Sequence, residues 1–541
     1  MSRWNRIVLL VSTLGLAAGC NLVSGAAGIE IADDDSNDDD GAAAGPSGVG
    51  GGTTNPTTVG GGDAGSGASP GTGGAPGTGA GPTTTSGAGG APTNLVPADG
   101  ISISRISVYQ GVERPVMANG GPGSSVAPVV ADRSALVRVF YTTDGTFDGG
   151  PVIARLVLSS GPALEEQTVP SGTSSPGSLA STINFDVDRT LMQPGTTYRV
   201  ELLQGSGSGS NTSATYPAQG QADLDVESGG KLKITIVPIQ YNGDGSGRLP
   251  DTSASQLQLL EDAFFAMYPV TSIQMSVRST VAWNSAVSAN GNGWSAMLNG
   301  LADLRQNDNV PADEYYYGIF QPASSHTAFC GGNACIGGLG FTAPANSPYH
   351  RAAIGLGYTG DTYVDFAVHE VGHLHGRGHA PCNTSGTDAG FPYSDGGLGV
   401  WGYHLLDGAL VSPSNHRDMM GYCKPRWISD YNFANLFDRI KIVDNASIYT
   451  APALMDLAWD RVLIAPDGTA SPAGSIQLTH PPLGEELTVT VQSKAGASQV
   501  SGQLLRYDHV GGGLLFVPPT SAGPKLIQAP VDGAMVNVWV P

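Results

Sequence analysis

An α+β catalytic domain flanked by β-sandwich domains is the fold the sequence predicts, on three observations. Between Leu232 and His375, strand-like runs alternate with amphipathic helical stretches. From Ile101 to about Val226, and again from about Ala446 to Pro541, strands and turns follow one another with almost no helical periodicity. At the end of the alternating section, His369-Glu370-Val371-Gly372-His373-Leu374-His375-Gly376-Arg377-Gly378-His379 reads H-E-x-x-H-x-x-G-x-x-H, a spacing that builds an open metal site.

The elements follow in chain order. Residues 1–20 form an export signal. Arg3 and Arg6 are its positive region, and the apolar run Ile7–Ala18 is too short to span a bilayer. Leu16-Ala17-Ala18-Gly19-Cys20 resembles a bacterial lipobox, with Ala17 where leucine is commoner. The resemblance implies that Cys20 is lipidated and that the chain is exported and anchored to a bacterial outer membrane or cell surface by lipid alone. Plain secretion is the alternative. Residues 21–98 form a tether rich in Gly, Ala, Thr, Ser and Pro that buries too little apolar surface to fold. Its flexible reach is about 50 Å. The run Asp33–Asp40 lacks the Gly and Glu offsets of a calcium loop, so structural Ca²⁺ finds no support. Residues 99–226 carry strand-like runs such as Ala135–Tyr141 and Tyr198–Leu203, for which an immunoglobulin-like sandwich is expected.

Residues 227–445 form the catalytic domain. Leu232–Pro238 reads as a strand. Ser253–Tyr268 reads as a helix opened by the capping box Ser253-x-x-Gln256. Ile273–Arg278, Tyr315–Phe320 and Ala352–Tyr358 are further strands, and Trp294–Arg305 is a second helix. Asn333–Phe341 is expected as an edge strand that pairs with substrate backbone. Thr362–His375 is the motif helix, with Asp361 as N-cap. Residues 446–541 are again β, with Leu487–Val491 and Met535–Val540 as strands.

The motif carries the chemistry. On a helix, His369 and His373 are four apart and share a face, so two imidazoles can converge on one Zn²⁺. Gly376 takes the left-handed turn that ends the helix and brings back His379 as third ligand. Three protein ligands leave a fourth position open to water, the arrangement of catalytic zinc, and Glu370 lies beside it as general base. The remaining histidines, 326, 350, 375, 404, 416, 480 and 509, are expected to be surface or core residues. His375 lies only two residues from His373 and points off the ligand face.

With these residues the chain resembles the metzincin clan of zinc endopeptidases over about residues 230–445. Asp418-Met419-Met420-Gly421-Tyr422-Cys423 matches that clan's methionine turn, with Met420 in register and Met419 the competitor. The resemblance implies a metzincin-like mixed sheet, active-site helix and Met-turn. It also implies that Tyr422 is either a fifth ligand or oxyanion donor, or an aromatic packed beneath the site. Trp427–Tyr431, with Ser429 as N-cap, opens the supporting helix. A weaker resemblance is to the bacterial mucin-cleaving metzincins. Arg377 stands where astacins carry an aromatic residue, and the repeats of serralysins are missing.

A net charge of −21 argues against nucleic-acid binding. Setting Cys20 aside, four cysteines allow three pairings; Cys330–Cys335 and Cys382–Cys423 are expected, against the alternative of thiol zinc ligands, which no C-x-x-C pair supports. The function expected is zinc-dependent hydrolysis of peptide bonds in extracellular proteins or glycoproteins by a monomer. The alternatives are a glycoprotein- or surface-binding lipoprotein with a vestigial zinc site, and a zinc hydrolase of a non-peptide amide.

Overall fold

The computed structural model describes residues 94–331, 335–342, 344–445, 457–520 and 522–541. The export signal, Cys20 and most of the tether lie outside the described residues. The last residues assigned to the tether do not: Val96–Pro97 pair with Gln204 and Leu203.

Strands β1 (Ile101–Tyr109), β2 (Glu113–Ala118), β3 (Ala135–Thr143) and β6 (Ile183–Val187) run antiparallel in the order β2-β1-β3-β6. Strands β4 (Val152–Leu158), β5 (Leu164–Thr168) and β7 (Thr197–Gln204) form a second antiparallel set in the order β7-β4-β5. Alternate residues of both, among them Val137 and Val139, Val152 and Ala154, Val200 and Leu202, meet in one apolar core.

The next sheet is mixed. It holds β8 (Gly230–Tyr241), β9 (Val270–Val277), β10 (Val281–Trp283), β11 (Glu314–Phe320), β12 (Gly338–Gly340) and β13 (Ala352–Leu356). The order is β9-β8-β11-β13-β12; all neighbours are parallel except the antiparallel edge strand β12. A proline in a central strand removes a ladder donor. Here Pro238 falls where β8 changes partners: pairing with β9 ends at Ile236 and pairing with β10 begins at Ile239. Helices α1 (Ala254–Met267), α2 (Trp294–Asn307), the short α3 (His326–Cys330), α4 (Asp361–Leu374) and α5 (Asp430–Asn445) accompany this sheet. Phe433, Leu436, Phe437, Ile440 and Val443 of α5 recur at helical spacing and are all buried in the same core as Val364, Ala367, Val368 and Val371 of α4.

Strands β14 (Leu457–Ile464), β15 (Ala470–Leu478), β16 (Glu485–Ser493), β17 (Gly496–Arg506), β18 (Gly513–Val517), β19 (Lys525–Val531) and β20 (Ala534–Val540) make one antiparallel sheet, ordered β15-β14-β18-β17-β16-β19-β20. It does not stand apart. Trp459, Leu505, Tyr507, Leu514 and Phe516 belong to the same core as α4, and Arg461 pairs with Asp303 and donates to Tyr349 Oη (3.0 Å).

Several strand and helix ends shift by a few residues from the sequence reading, and two of the differences bear on the site. Gly360, not Asp361, caps α4; its φ of +115° is open to glycine and strained for other residues, and Asp361 becomes the first helical residue, where a carboxylate suits the helix dipole. The expected strand Asn333–Phe341 is only Gly338–Gly340 among the described residues, and residues 332–334 lie outside them.

The N-terminal strands are joined to the mixed sheet by Arg133. Its buried guanidinium donates to Val270 O (2.9 Å) and Phe265 O, and its Nε to Gln110 O (3.2 Å). Arg133→Ala orphans buried carbonyls on both sides and should lower the unfolding free energy by about 3 kcal/mol. Denaturant titration checks this; a loss under about 0.5 kcal/mol, the size of a surface substitution, would contradict it.

Candidate metal centre

Helix α4 presents His369 and His373 on one face. Gly372, on the same helix, lies so close to the loop beneath that a Cβ there would sit 2.4 Å from Met420 Sδ. After Leu374 the chain turns at Gly376 (φ +76°); Gly376 N donates to His373 O (2.7 Å) and Arg377 N to Gly372 O (3.1 Å). The loop that follows carries His379 back beneath the helix.

Each of the three imidazoles is oriented by a carbonyl. His369 Nδ1–H donates to Met419 O (2.8 Å), His373 Nδ1–H to Arg377 O (2.7 Å) and His379 Nδ1–H to Ser385 O (2.9 Å). A carbonyl only accepts, so each Nδ1 holds the proton and each Nε2 presents a lone pair. His369 Nε2 and His373 Nε2 stand 3.0 Å apart. Burial, aided by the neighbouring imidazoles, holds His369 well below the ordinary histidine pKa; burial likewise lowers His379. Both are therefore neutral near pH 7, as metal ligation needs.

The loop between β17 and β18 brings in two further groups. Asp508 Oδ2 lies 2.6 Å from His373 Nε2 and 3.1 Å from His379 Nε2. With the Nδ1 protons committed, neither nitrogen has a hydrogen to give; this buried oxygen makes no hydrogen bond among the described residues, and its one cationic neighbour is His509 Nε2 at 3.1 Å. Facing imidazole lone pairs and an undonated carboxylate oxygen are the donor set of a divalent cation. His369, His373, His379, Asp508 and His509 all offer ligand atoms within 4.8 Å of one another.

Asp508 thus stands against the face of the histidine cluster expected to be open to water, and His509 is neither a surface nor an inert core histidine. His509 Nε2 is 2.8 Å from Glu370 Oε1, and its Nδ1 is 2.5 Å from Tyr422 Oη. Burial alone would lower its pKa, but the carboxylates of Glu370 and Asp508 outweigh that and raise it to about 9. No local spacing could have pointed to this pair: it lies in the run Tyr507-Asp508-His509-Val510-Gly511-Gly512-Gly513, far along the chain from the motif.

The other expected residues fall as follows. Glu370 is 1% exposed, with one carboxylate oxygen lacking a donor; a Cβ at Gly338 of β12 would lie 2.5 Å from it, so the edge strand passes directly over this carboxylate. Tyr422 Oη lies 3.4 Å from His379 Nε2, and burial raises its pKa far above the ordinary value. Met420 is fully buried, while the carbonyl of its neighbour Met419 does the work of orienting His369. His375 faces away from the cluster, stacked on Tyr315 at 4.6 Å. Arg377 is buried and joins the third-ligand loop to Asn432 of α5 (2.8 Å) and to Asp388 (2.7 Å).

Cys330–Cys335 and Cys382–Cys423 are disulfides, with Cα separations of 5.2 and 5.7 Å. His326 stands beside the first pair, whose sulfurs are bonded to each other and are not thiolate ligands. The second joins the segment after His379 to the segment after Met420; Ala380 N donates to Met420 O (3.0 Å) and Tyr422 N to Cys382 O (2.9 Å) across it.

No family model matches the chain, and no curated protein does. Among solved structures, the crystal structure of metalloproteinase-II from Bacteroides fragilis matches at 15% identity with a TM-score of 0.22, over 39% of this chain and 53% of that one. The chain thus spans about half the length of that protein. The likeness is slight.

Beneath the cluster, the buried carboxylate of Asp418 accepts from Met420 N (2.8 Å), Ser429 N (2.8 Å) and Asn432 Nδ2 (2.7 Å). Asp418→Ala removes the acceptor common to the Met419–Met420 turn and the start of α5. It should cost about 3 kcal/mol in stability and weaken metal binding by roughly tenfold or more. Thermal unfolding and metal titration test both; unchanged metal affinity would contradict the link between this carboxylate and His369.

Proposed function

We propose that the chain is a zinc-dependent endopeptidase acting on extracellular proteins or glycoproteins. The observation that carries this reading is the convergence of three carbonyl-oriented imidazoles beside a buried carboxylate, Glu370, that is not one of the grouped ligand residues. A purely structural or vestigial site does not need that carboxylate. His369, His373 and His379 would hold Zn²⁺, which supplies Lewis acidity for a scissile carbonyl and for water.

The chain's own residues supply the rest. Glu370 takes the proton of the attacking water and passes it to the leaving amine. Tyr422 Oη, protonated at neutral pH, donates to the developing oxyanion. Met420 fills the space under the helix and moves no proton. The short edge strand β12 offers backbone groups to an extended substrate beside Glu370. Export with a lipid on Cys20 completes the reading; the two disulfides suit an oxidising compartment, and among the described residues no helix is long and apolar enough to cross a membrane. The monomeric state expected from the sequence is kept as part of the proposal.

The second reading, a glycoprotein-binding lipoprotein with a closed metal site, is favoured by one observation, the Asp508 carboxylate at the fourth position. Metal analysis with casein and mucin-type glycoprotein as substrates separates the two, in the chain and in an Asp508→Ala background. Glu370→Gln should keep one zinc per chain and lose about 10³-fold in chelator-sensitive cleavage. Full activity in that variant, or purified protein with no bound metal, would contradict the proposal.

A further inference from the structure

We propose that the loop joining β17 to β18 is a built-in latch, in which Asp508 is a fourth protein ligand of the metal and His509 occupies the general base. The C-terminal sheet thereby holds the site closed. This rests on the metallohydrolase reading above and adds its regulation.

The geometry is specific at both residues. Asp508 Oδ2 sits within 3.1 Å of His373 Nε2 and His379 Nε2, where a water or a scissile carbonyl would have to stand. His509 spans the two groups that hydrolysis needs free, reaching Glu370 Oε1 with one ring nitrogen and Tyr422 Oη with the other. One dipeptide thus engages the metal position, the base and the oxyanion donor together.

The backbone of the loop takes the path a substrate would take. Tyr507 forms an antiparallel bridge with Phe341, the residue just past edge strand β12, so the latch continues the edge at which an extended peptide would pair. It is firmly seated. Tyr507 Oη accepts from Asn299 Nδ2 of α2 (2.7 Å), and Val510 lies against Gly291, where φ is +103° and a Cβ would come within 2.9 Å of Val510 Cγ1. What remains beside Glu370 is a cavity of about 30 Å³. That is room for a water or two.

The closed arrangement is not explained by stability. Sheet and catalytic core already share the Arg461–Asp303 pair and a continuous apolar interface, none of which needs a carboxylate among three imidazoles. The His509 ring, 3.1 Å from Asp508 Oδ2, offsets part of the cost of burying that carboxylate, and a cation among the three imidazole lone pairs would offset the rest.

The test uses the full chain loaded with Co²⁺, whose visible spectrum reports its ligands, and acetohydroxamic acid as a small exogenous ligand. In the unsubstituted chain the hydroxamate should leave the spectrum unchanged. In Asp508→Ala it should bind and shift the spectrum, with apparent affinity higher by at least about tenfold, since a site open less than a tenth of the time weakens binding by that factor. His509→Ala, which leaves the Asp508 ligand in place, should leave the Co²⁺ spectrum unshifted by hydroxamate. Asp508→Ala/His509→Ala should hydrolyse casein at least about tenfold faster than the unsubstituted chain. Circular dichroism and thermal unfolding establish that the variants fold. Hydroxamate binding equally well to the unsubstituted chain would overturn the latch. Hydroxamate binding gained in Asp508→Ala with no hydrolysis by the double variant would leave the closure standing and overturn the hydrolase reading, and a chain that takes up no metal in any form would overturn both.

Discussion

The site depends on three hydrogen bonds, each from an imidazole Nδ1–H to a backbone carbonyl: Met419, Arg377 and Ser385. They set the tautomer of every ligand and aim three lone pairs at one point. Two of the carbonyls, Arg377 and Ser385, come from the loop after α4 and the third from the Met419 turn, so the centre is only as precise as the relative position of those two segments. The sequence invests accordingly. A disulfide joins the segments after His379 and after Met420, Asp418 gathers the turn onto α5, and buried Arg377 ties the third-ligand loop to Asn432 and Asp388. The residue that looks like a departure from the astacin pattern, Arg377, is thus one of the loop's main supports.

A site so thoroughly framed has little freedom to open by itself. Glu370 lies beneath edge strand β12, close enough that glycine is needed at position 338. The side where the C-terminal sheet sits is held by Asp508 and His509. In the latch proposed above, the same interface that extends the core around α4 also controls entry to the metal cluster. Rigidity at the ligands and control of entry are separate tasks, carried by different parts of the chain.

Local rules made some of this readable in advance. The i, i+4 pair His369 and His373, the glycine turn at 376 and the caps at Ser253 and Ser429 are consequences of short-range geometry, and the residues themselves carry the signal. Strand β12 was less legible because it is made of Gly338, Leu339 and Gly340; its place comes from register with β13 and close approach to Glu370, not from propensity. Pro238 argues locally against a central strand and is accommodated only because β8 changes partners there. Asp508 and His509 were not legible at all. They stand in a glycine-rich turn without periodicity, and only the docking of one sheet against another brings them to α4.

Three histidines and one aspartate from a separate sheet should surround a single divalent ion. X-ray absorption at the zinc edge, on the purified full chain, measures that shell directly. The account predicts only nitrogen and oxygen neighbours: three imidazoles at about 2.0–2.1 Å, with their outer-ring scattering, and one carboxylate oxygen at about 2.0–2.2 Å that is lost in Asp508→Ala. Sulfur neighbours near 2.3 Å, or a shell with fewer than three imidazoles, would contradict it.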